Sequence, residues 1–530
     1  MLRLAVVRFA LLPLLVLSRP SIGLALDWMA APDPYSQYDR FDYVAATDDG
    51  RTVVAGVTRA APNEEDFLVV SFDAVGNYEW AVSYNGLSDG YDRPYGLTVD
   101  LEGNAYVTGE SASPGFIQEW ATIKVTPTGV IDWVRRFHGS ESFGDARPTA
   151  IAVDANGDVL VGGYSRETGM LSQLAVVKYS AAGDLLWSNH VGSTSFDTAY
   201  TMAIDSEGSA FIAGSWSASG SGSDGVVAKF LSSGVLAWQA VFDVPTQSFD
   251  NEETRALAID ADGDLIVAGT ADALTPTARD WTIVRLSSTG SVIDSVILPA
   301  TGFDTPFAVT LGAAGRFHVA GSASGLLRVA TRNADLTEFS TYSRNGSISE
   351  NDPEGLMTRS DDGRLFVLHR TPSEADLEIV ELDADGRQLS LITLDTGGSD
   401  YAGGLAMGVD GDVRVASAKP APTSVLQDGV AWRVTTSTAA PSFVRGDVNA
   451  DGAIDITDPI ALLDFLFAAS TIPCRSAGDA NDSGGLDIAD AVSLLAYLFA
   501  SGAAPLAPHP DCGVDPTGDP LDCPSFAACP

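Results

Sequence analysis

Basic residues are scarce in this 530-residue chain: Lys and Arg number 30 against 70 Asp and Glu, a formal charge of −40. A surface of that sign repels phosphate backbones and anionic headgroups, so general nucleic-acid binding is excluded and attachment to acidic membranes is disfavoured. Cysteine is scarcer still, with four residues, all beyond position 470. The bulk of the chain therefore has no thiol nucleophile and no thiolate metal site. Histidine occurs five times, and His138, His190 and His318 fall in strand-like segments where packing or surface roles are expected. There is no G-x-S-x-G elbow and no H-E-x-x-H pair. Among 70 acids no carboxylate pair stands out as a glycosidase pair, so no catalytic residue is assigned.

Long apolar runs are also missing, with one exception at the start. Arg3 and Arg8 precede an apolar run from Phe9 to Leu17, and Gly23 and Ala25 supply small residues before Leu26. That pattern reads as a secretory signal peptide over residues 1–25, too short in its apolar part to span a bilayer. Cleavage would remove three arginines and no acid, taking −40 to −43. No other segment is expected to be transmembrane, and a secreted or cell-surface location is expected. In that compartment the even set Cys474, Cys512, Cys523 and Cys529 suggests two disulfides, with three pairings open.

What the chain has in abundance is turn residues, 52 glycines among them, alongside 45% apolar residues. A turn glycine followed by an apolar alternation recurs as DGRTVVAG, EGNAYVTG, NGDVLVGG, EGSAFIAG, DGDLIVAG, AGRFHVAG, DGRLFVLH and DGDVRVAS. The first glycines are Gly50, Gly103, Gly157, Gly208, Gly263, Gly315, Gly363 and Gly411, at intervals of 48 to 55 residues. Each unit carries four short strand signals with period-2 alternation, and four strands in about 50 residues is the pattern of a propeller blade. The termini favour a ring over a solenoid. The last unit lacks its fourth, Trp-bearing strand, and LDWMA at Leu26–Ala30 matches IDWVR at Ile131–Arg135. An all-β, eight-bladed propeller over 26–436 is expected, with the N-terminal strand completing the last blade and hiding its edge.

These repeats resemble the bacterial SBBP-type β-propeller repeats, a likeness that implies fold and leaves function open. Their Gly-x-x-x-Trp turns, such as GVIDW and GDLLW, are similar to those of the quinoprotein dehydrogenases, but that family's vicinal cysteine pair is absent. An aspartate precedes the inner strand of each unit: Asp39, Asp92, Asp145, Asp197, Asp250, Asp304, Asp352 and Asp400. In a closed ring these carboxylates would share one face. They are expected to accept backbone N–H bonds at the blade crossings, with a cation- or sugar-binding rim as the alternative. Acidic turns such as Asp260–Asp264 are expected to be hairpin turns rather than Ca²⁺ loops.

Beyond a polar linker at 437–444 the composition changes. DVNADGAIDITD begins at Asp447, with oxygen-bearing side chains at loop positions 1, 3, 5, 9 and 12 and Gly452 at 6. Such spacing delivers the six to eight oxygens that Ca²⁺ takes, here from Asp447, Asn449, Asp451, the Ala453 carbonyl, Asp455 and Asp458. Thirty-two residues on, DANDSGGLDIAD offers Asp479, Asn481, Ser483, the Gly485 carbonyl, Asp487 and Asp490. A helix follows each loop, with Leu462 and Phe467 matching Leu494 and Phe499. Two calcium ions are expected in a small α-helical domain over 445–502, followed by a Cys-containing tail at 503–530. The duplicated loop–helix unit with Asp at position 12 resembles a type I dockerin. That resemblance implies docking to a cohesin-like protein or cell-surface scaffold, often in the service of polysaccharide breakdown. Ile456/Thr457 and Ile488/Ala489 depart from the paired hydroxyls common in cohesin-reading dockerins.

Two functions compete on this reading. One is a secreted, non-catalytic binding or surface-assembly protein, with the propeller as ligand platform and the calcium module as tether. The other is a dockerin-bearing glycoside hydrolase or polysaccharide lyase with its site on the propeller face. A deep aromatic-lined cleft with two carboxyls about 5–10 Å apart would favour the second.

Overall fold

A computed structural model describes residues 24–513 apart from 33–37, 62–63, 89, 115–116, 140–145, 168, 170, 218–221, 243–250, 273–278, 300–303, 347–355, 372–375, 398–399, 421–426, 437–442, 469, 471 and 511. The expected signal segment before Leu24, the ring residues Asp145, Asp250 and Asp352, and Cys523 and Cys529 lie outside the described residues. The chain divides after Thr436 into two compact units. No helix among the described residues is long and apolar enough to cross a membrane.

The first unit is eight four-stranded antiparallel sheets. Blades 1 to 7 span 38–84, 93–137, 147–191, 198–242, 252–298, 305–345 and 357–394, and blade 8 joins 401–436 to Leu24–Ala30. The middle strands are buried on both faces, as Ser172–Tyr179 is along its whole length, which is why they read as unbroken apolar runs. Outer strands such as Leu185–Val191 are exposed at their start and buried only at their end.

Ring closure is by strand exchange between the termini. Leu24–Ala30 pairs antiparallel with Gln427–Thr436, with Trp28 opposite Arg433 and Ala30 opposite Ala431. The strand begins two residues before the expected cleavage point, so a cut before Leu26 would shorten it without removing it. The inner strand Tyr38–Ala46 packs against the inner strands of blades 2 and 8, which completes the circle.

The outer-strand tryptophans join each blade to the next. Trp80, Trp133, Trp187 and Trp238 donate their indole N–H to the carbonyls of Pro127, Ala181, Ser232 and Ser288, at 2.9, 3.3, 3.0 and 3.0 Å. Each indole lies over the turn glycine of the following blade. A Cβ on Gly129 would sit 2.7 Å from Trp80, and one on Gly76 would sit 2.6 Å from Trp28. Trp28 thus packs over the turn glycine of blade 1 as the other four do over theirs, although it comes from the opposite end of the chain and its indole N–H makes no such bond.

The second unit pairs α1 (Thr457–Phe467) with α3 (Ile488–Phe499) around Val448, Leu462, Ala480, Ala491 and Leu494. A short α2 (Arg475–Gly478), not expected from the sequence, is capped by Cys474, whose sulfur accepts from Ala477 N–H. Cys474 and Cys512 are both disulfide-bonded.

Candidate functional site

The two loops of the C-terminal unit repeat bond for bond. Asp447 accepts from the backbone N–H groups of Asp451 and Gly452, at 3.1 and 2.9 Å. Asp479 accepts from Ser483 and Gly484, at 2.9 and 2.8 Å. Asp458 accepts from the N–H groups of Asn449 and Asp455, and Asp490 from the equivalent Asn481 and Asp487. Gly452 and Gly484 take φ of +89° and +81°, the left-handed bend that glycine permits without strain. Asp447, Asp458, Asp479 and Asp490 are at most 1% exposed, and none forms an ion pair among the described residues. Burying uncompensated carboxylates is costly. Burial pushes Asp447 and Asp458 above the usual carboxylate range, and burial followed by the neighbouring Asp479 carries Asp490 up to about 6. Asn481 Oδ1, at loop position 3, is buried and accepts no hydrogen bond. Acids without cations and an oxygen without a donor fit a hard divalent cation.

Arg445 was not singled out from the sequence. It is fully buried, donates to the carbonyls of Asp479 and Ala507 at 2.7 and 3.0 Å, and pairs with Asp482 at 2.8 Å. It fixes the start of the second loop while leaving Asp479 unpaired.

In the propeller the ring aspartates are used locally. Asp92 accepts from Gly86 N–H in the blade crossing and from Ala112 N–H at the end of the next strand, at 2.7 and 3.0 Å. Asp197 does the same with Ser193 and Ser217, at 2.5 and 2.8 Å. Asp304 accepts from Ser324, and Asp400 from Thr396. These four and Asp39 are 0 to 3% exposed, so none of the five presents its carboxylate on a solvent-facing rim. The ring is also not uniform. Seven of the eight inner strands carry a β-bulge, all but Met357–Arg359 of blade 7, and the register puts Arg147 level with Arg93. Ala146, not Asp145, therefore occupies the place of Asp92. Glu252, not Asp250, holds it in blade 5. The offset is countable: Asp145 and Asp250 stand 12 and 13 residues before their turn glycines, where Asp92 and Asp197 stand 11. The acidic turn at Asp260 closes on itself, Asp260 Oδ1 accepting from Asp262 and Asp264.

The residues just inside the ring were missed by the sequence reading. Arg40 pairs with Asp42 at 2.7 Å, Glu65 binds both Arg59 and Arg93, and Arg147 approaches Glu110 at 3.5 Å. The Arg147 guanidinium stands 3.8 Å from the Tyr95 ring centre, and Arg40 stands 5.2 Å from that of Tyr401. Burial lifts Asp42 to about 6 in spite of Arg40. The available signal was the repeated Asp-Arg dipeptide at Asp39–Arg40 and Asp92–Arg93.

Two further features bear on chemistry. His190 Nε2 contacts both Ser165 Oγ and Glu167 Oε1 at 2.9 Å, so the pair meets one ring nitrogen and forms no relay through the imidazole. His318 is buried against Thr331, and burial lowers it to about 4. A cavity of about 440 Å³ opens beside Ala258, Thr310 and Thr358 on the inner strands of blades 5 to 7, and its lining holds neither a carboxylate nor an aromatic ring. Asp376, Asp395 and Asp400 bring carboxylate oxygens within 4.8 Å of one another.

The β-propeller repeat family called SBBP matches residues 84–116, the end of blade 1 and the first half of blade 2. No curated protein matches the chain. Solved structures to which it is similar include the Dos1 propeller, at 9% identity and a TM-score of 0.49, covering 78% of this chain and 96% of that one. Another is Sqt1 from Chaetomium thermophilum, at 12% identity and a TM-score of 0.48, covering 77% and 99%. The chain is thus an eight-bladed β-propeller that carries at least one recognisable SBBP repeat, a fold suited to a ligand-binding platform.

Proposed function

We propose that this is an exported, non-catalytic binding protein whose propeller presents a ligand face and whose C-terminal unit is a calcium-dependent, dockerin-like tether. The observation that carries the tether is the duplicated loop with four buried, cation-free carboxylates and the orphaned Asn481 Oδ1. Asp447, Asn449, Asp451, Asp455, Asp458 and the Ala453 carbonyl would hold one Ca²⁺. Asp479, Asn481, Ser483, Asp487, Asp490 and the Gly485 carbonyl would hold the other. Bound ions would neutralise these carboxylates and fix the angle between each loop and its helix. Docking to a cohesin-like protein or surface scaffold finds support in the exposed apolar residues of the module. Ile456, Ile460 and Phe467 are 43, 50 and 72% exposed, and Ile488, Val492 and Phe499, each 32 positions later, are 56, 57 and 69% exposed. A surface that repeats itself in this way offers a partner two equivalent faces.

Calorimetric titration of Ca²⁺ into the chelator-treated full chain tests the tether. Two sites are expected, with both lost in Asp447→Ala/Asp479→Ala; calcium binding that survives in that variant would overturn the assignment. Retention of the chain on a polysaccharide array tests the platform.

A further inference from the structure

We propose that the inner-strand entrance formed by blades 8, 1, 2 and 3 is a binding site for uronic-acid sugars, the carboxylate-bearing units of acidic polysaccharides. The inference rests on reading the propeller as a ligand platform, and it names the face and the ligand class. Only four of the chain's 30 basic residues are lysines (Lys124, Lys178, Lys229 and Lys419), so almost all its positive charge sits on planar, fork-shaped guanidinium groups. Two sets of them differ in what they touch.

At the turns, arginines join blade to blade through carbonyls: Arg51 to Pro127, Arg135 to Gly183, Arg285 to Ala334 and Arg433 to Ala74. Their side chains are well covered, 12% exposed for Arg51, 22% for Arg285 and 17% for Arg433. At the entrance, Arg40, Arg93 and Arg147 hold the same strand position in three consecutive blades. Arg59, Arg93 and Arg147 are 36, 42 and 39% exposed. Arg51, Arg285 and Arg433 are held by a carboxylate and by a carbonyl of the next blade together, whereas at the entrance carboxylates orient each fork while leaving much of it open to solvent. Stacking on tyrosine does the same for Arg147 and Arg40.

The charges decide the ligand. The solvent-facing charge of the arc is positive on a chain of −40: Arg59, Arg93 and Arg147 stand well exposed, whereas the side chains of Asp42, Glu65 and Glu110 are 5, 2 and 25% exposed and Asp39 and Asp92 are buried. An anion is favoured there and repelled elsewhere. Donors and acceptors alternate along the arc, however, so a densely charged chain such as an acidic peptide would meet three like charges at close range. A uronate offers one carboxylate per ring for a bidentate guanidinium and hydroxyls for Glu110, the partly exposed carboxylate of the three.

The test is calorimetric titration of tetraglucuronate into the full chain at one fixed calcium concentration, with cellotetraose and tetraglutamate as controls. Saturable binding of tetraglucuronate alone is expected, weakening about tenfold or more in Arg93→Gln/Arg147→Gln and unchanged in Arg285→Gln. A thermal melt of each variant separates loss of the site from loss of the fold, and Arg147→Lys provides a milder change that keeps the charge and removes the fork. The proposal is overturned if tetraglucuronate does not bind, if tetraglutamate binds as tightly, or if the folded double variant binds undiminished. An array of neutral and acidic glycans separates the two readings. Retention insensitive to Arg93→Gln/Arg147→Gln would sink this inference and leave the platform standing; no retention of any glycan would remove both.

Discussion

Blades 8 and 1 to 4 pass to their neighbours through a tryptophan, whereas blades 5 to 7 carry Asp294, Ser340 and Ser390 at that strand position, and each exception has its own cause. Blade 5 faces a turn in which Leu336, at φ +59°, replaces glycine and buries its own side chain to 4% exposure. The Leu side chain takes the space where an indole would lie. At the next joint Ser340 Oγ donates to the Asp385 carbonyl, a small side chain making the bond that the indole N–H makes elsewhere. Blade 7 meets blade 8, which has no turn at that place because its two outer strands come from opposite ends of the chain. There Ser390 Oγ accepts from Leu24 N–H at 3.3 Å. The tryptophan is thus one solution to a problem that every blade faces, the sealing of its outer strand to the next turn.

The largest expected effect comes from breaking the joint that depends on both termini. Deleting residues 24–30 removes Trp28 and six paired positions, and it exposes Gln427–Thr436 as an edge. The loss should exceed the ~3–5 kcal/mol typical of truncating a buried Trp, and soluble aggregates should appear. Urea unfolding and light scattering would show it; an unchanged midpoint would mean that the ring does not need this strand. The result also bears on export, since a signal peptidase cut before Leu26 leaves five residues of that strand in place.

Much of this architecture was legible in the sequence because the features that build it are local. A Gly at left-handed φ, an Asp that caps its own turn and a Trp four residues after the next Gly recur in most blades at a fixed spacing. What was not legible depends on neighbours in space. Arg93 matters because Glu65 and Tyr91 lie beside it, one on another blade and one in the crossing. Asp145 and Asp250 are the exception, since their offset from the turn glycine could have been counted in the sequence. Leu336 does the work of a turn glycine while lacking the residue type that announces it. The calcium loops are at the other extreme: twelve contiguous residues specify almost every contact that the structure shows, and only Arg445, reaching in from outside, escaped notice.

A smaller effect separates the two kinds of joint. Trp133→Ala, at a side chain 6% exposed, should cost about 3–5 kcal/mol, and Ser340→Ala about 1 kcal/mol, the value of a single hydrogen bond. Equal losses in equilibrium unfolding would mean that the indole contributes only its N–H, and the packing over the turn glycine would then carry little of the stability.

The smallest effect concerns the seam at blade 8, where Asp400 differs from its counterparts. Asp92 and Asp197 are raised by burial, but Asp400 is carried from 3.8 to about 6, first by burial and then by the charges of Asp395 and Asp376. A carboxyl that holds its proton more tightly when folded stabilises the fold while protonated. Its contribution is therefore fully present below about pH 4 and is lost as the pH rises to about 6. Asp400→Asn keeps an acceptor for Thr396 and cannot ionise. The melting temperature of the variant should match wild type near pH 4 and exceed it at pH 7, with the gap opening between those values. Asp197→Asn, which has no such acidic neighbours, should open a narrower gap. A larger gap at Asp197, or none at Asp400, would show that the three-carboxylate cluster does not burden the seam, and the joint between blades 7 and 8 would then differ from the rest in its termini alone.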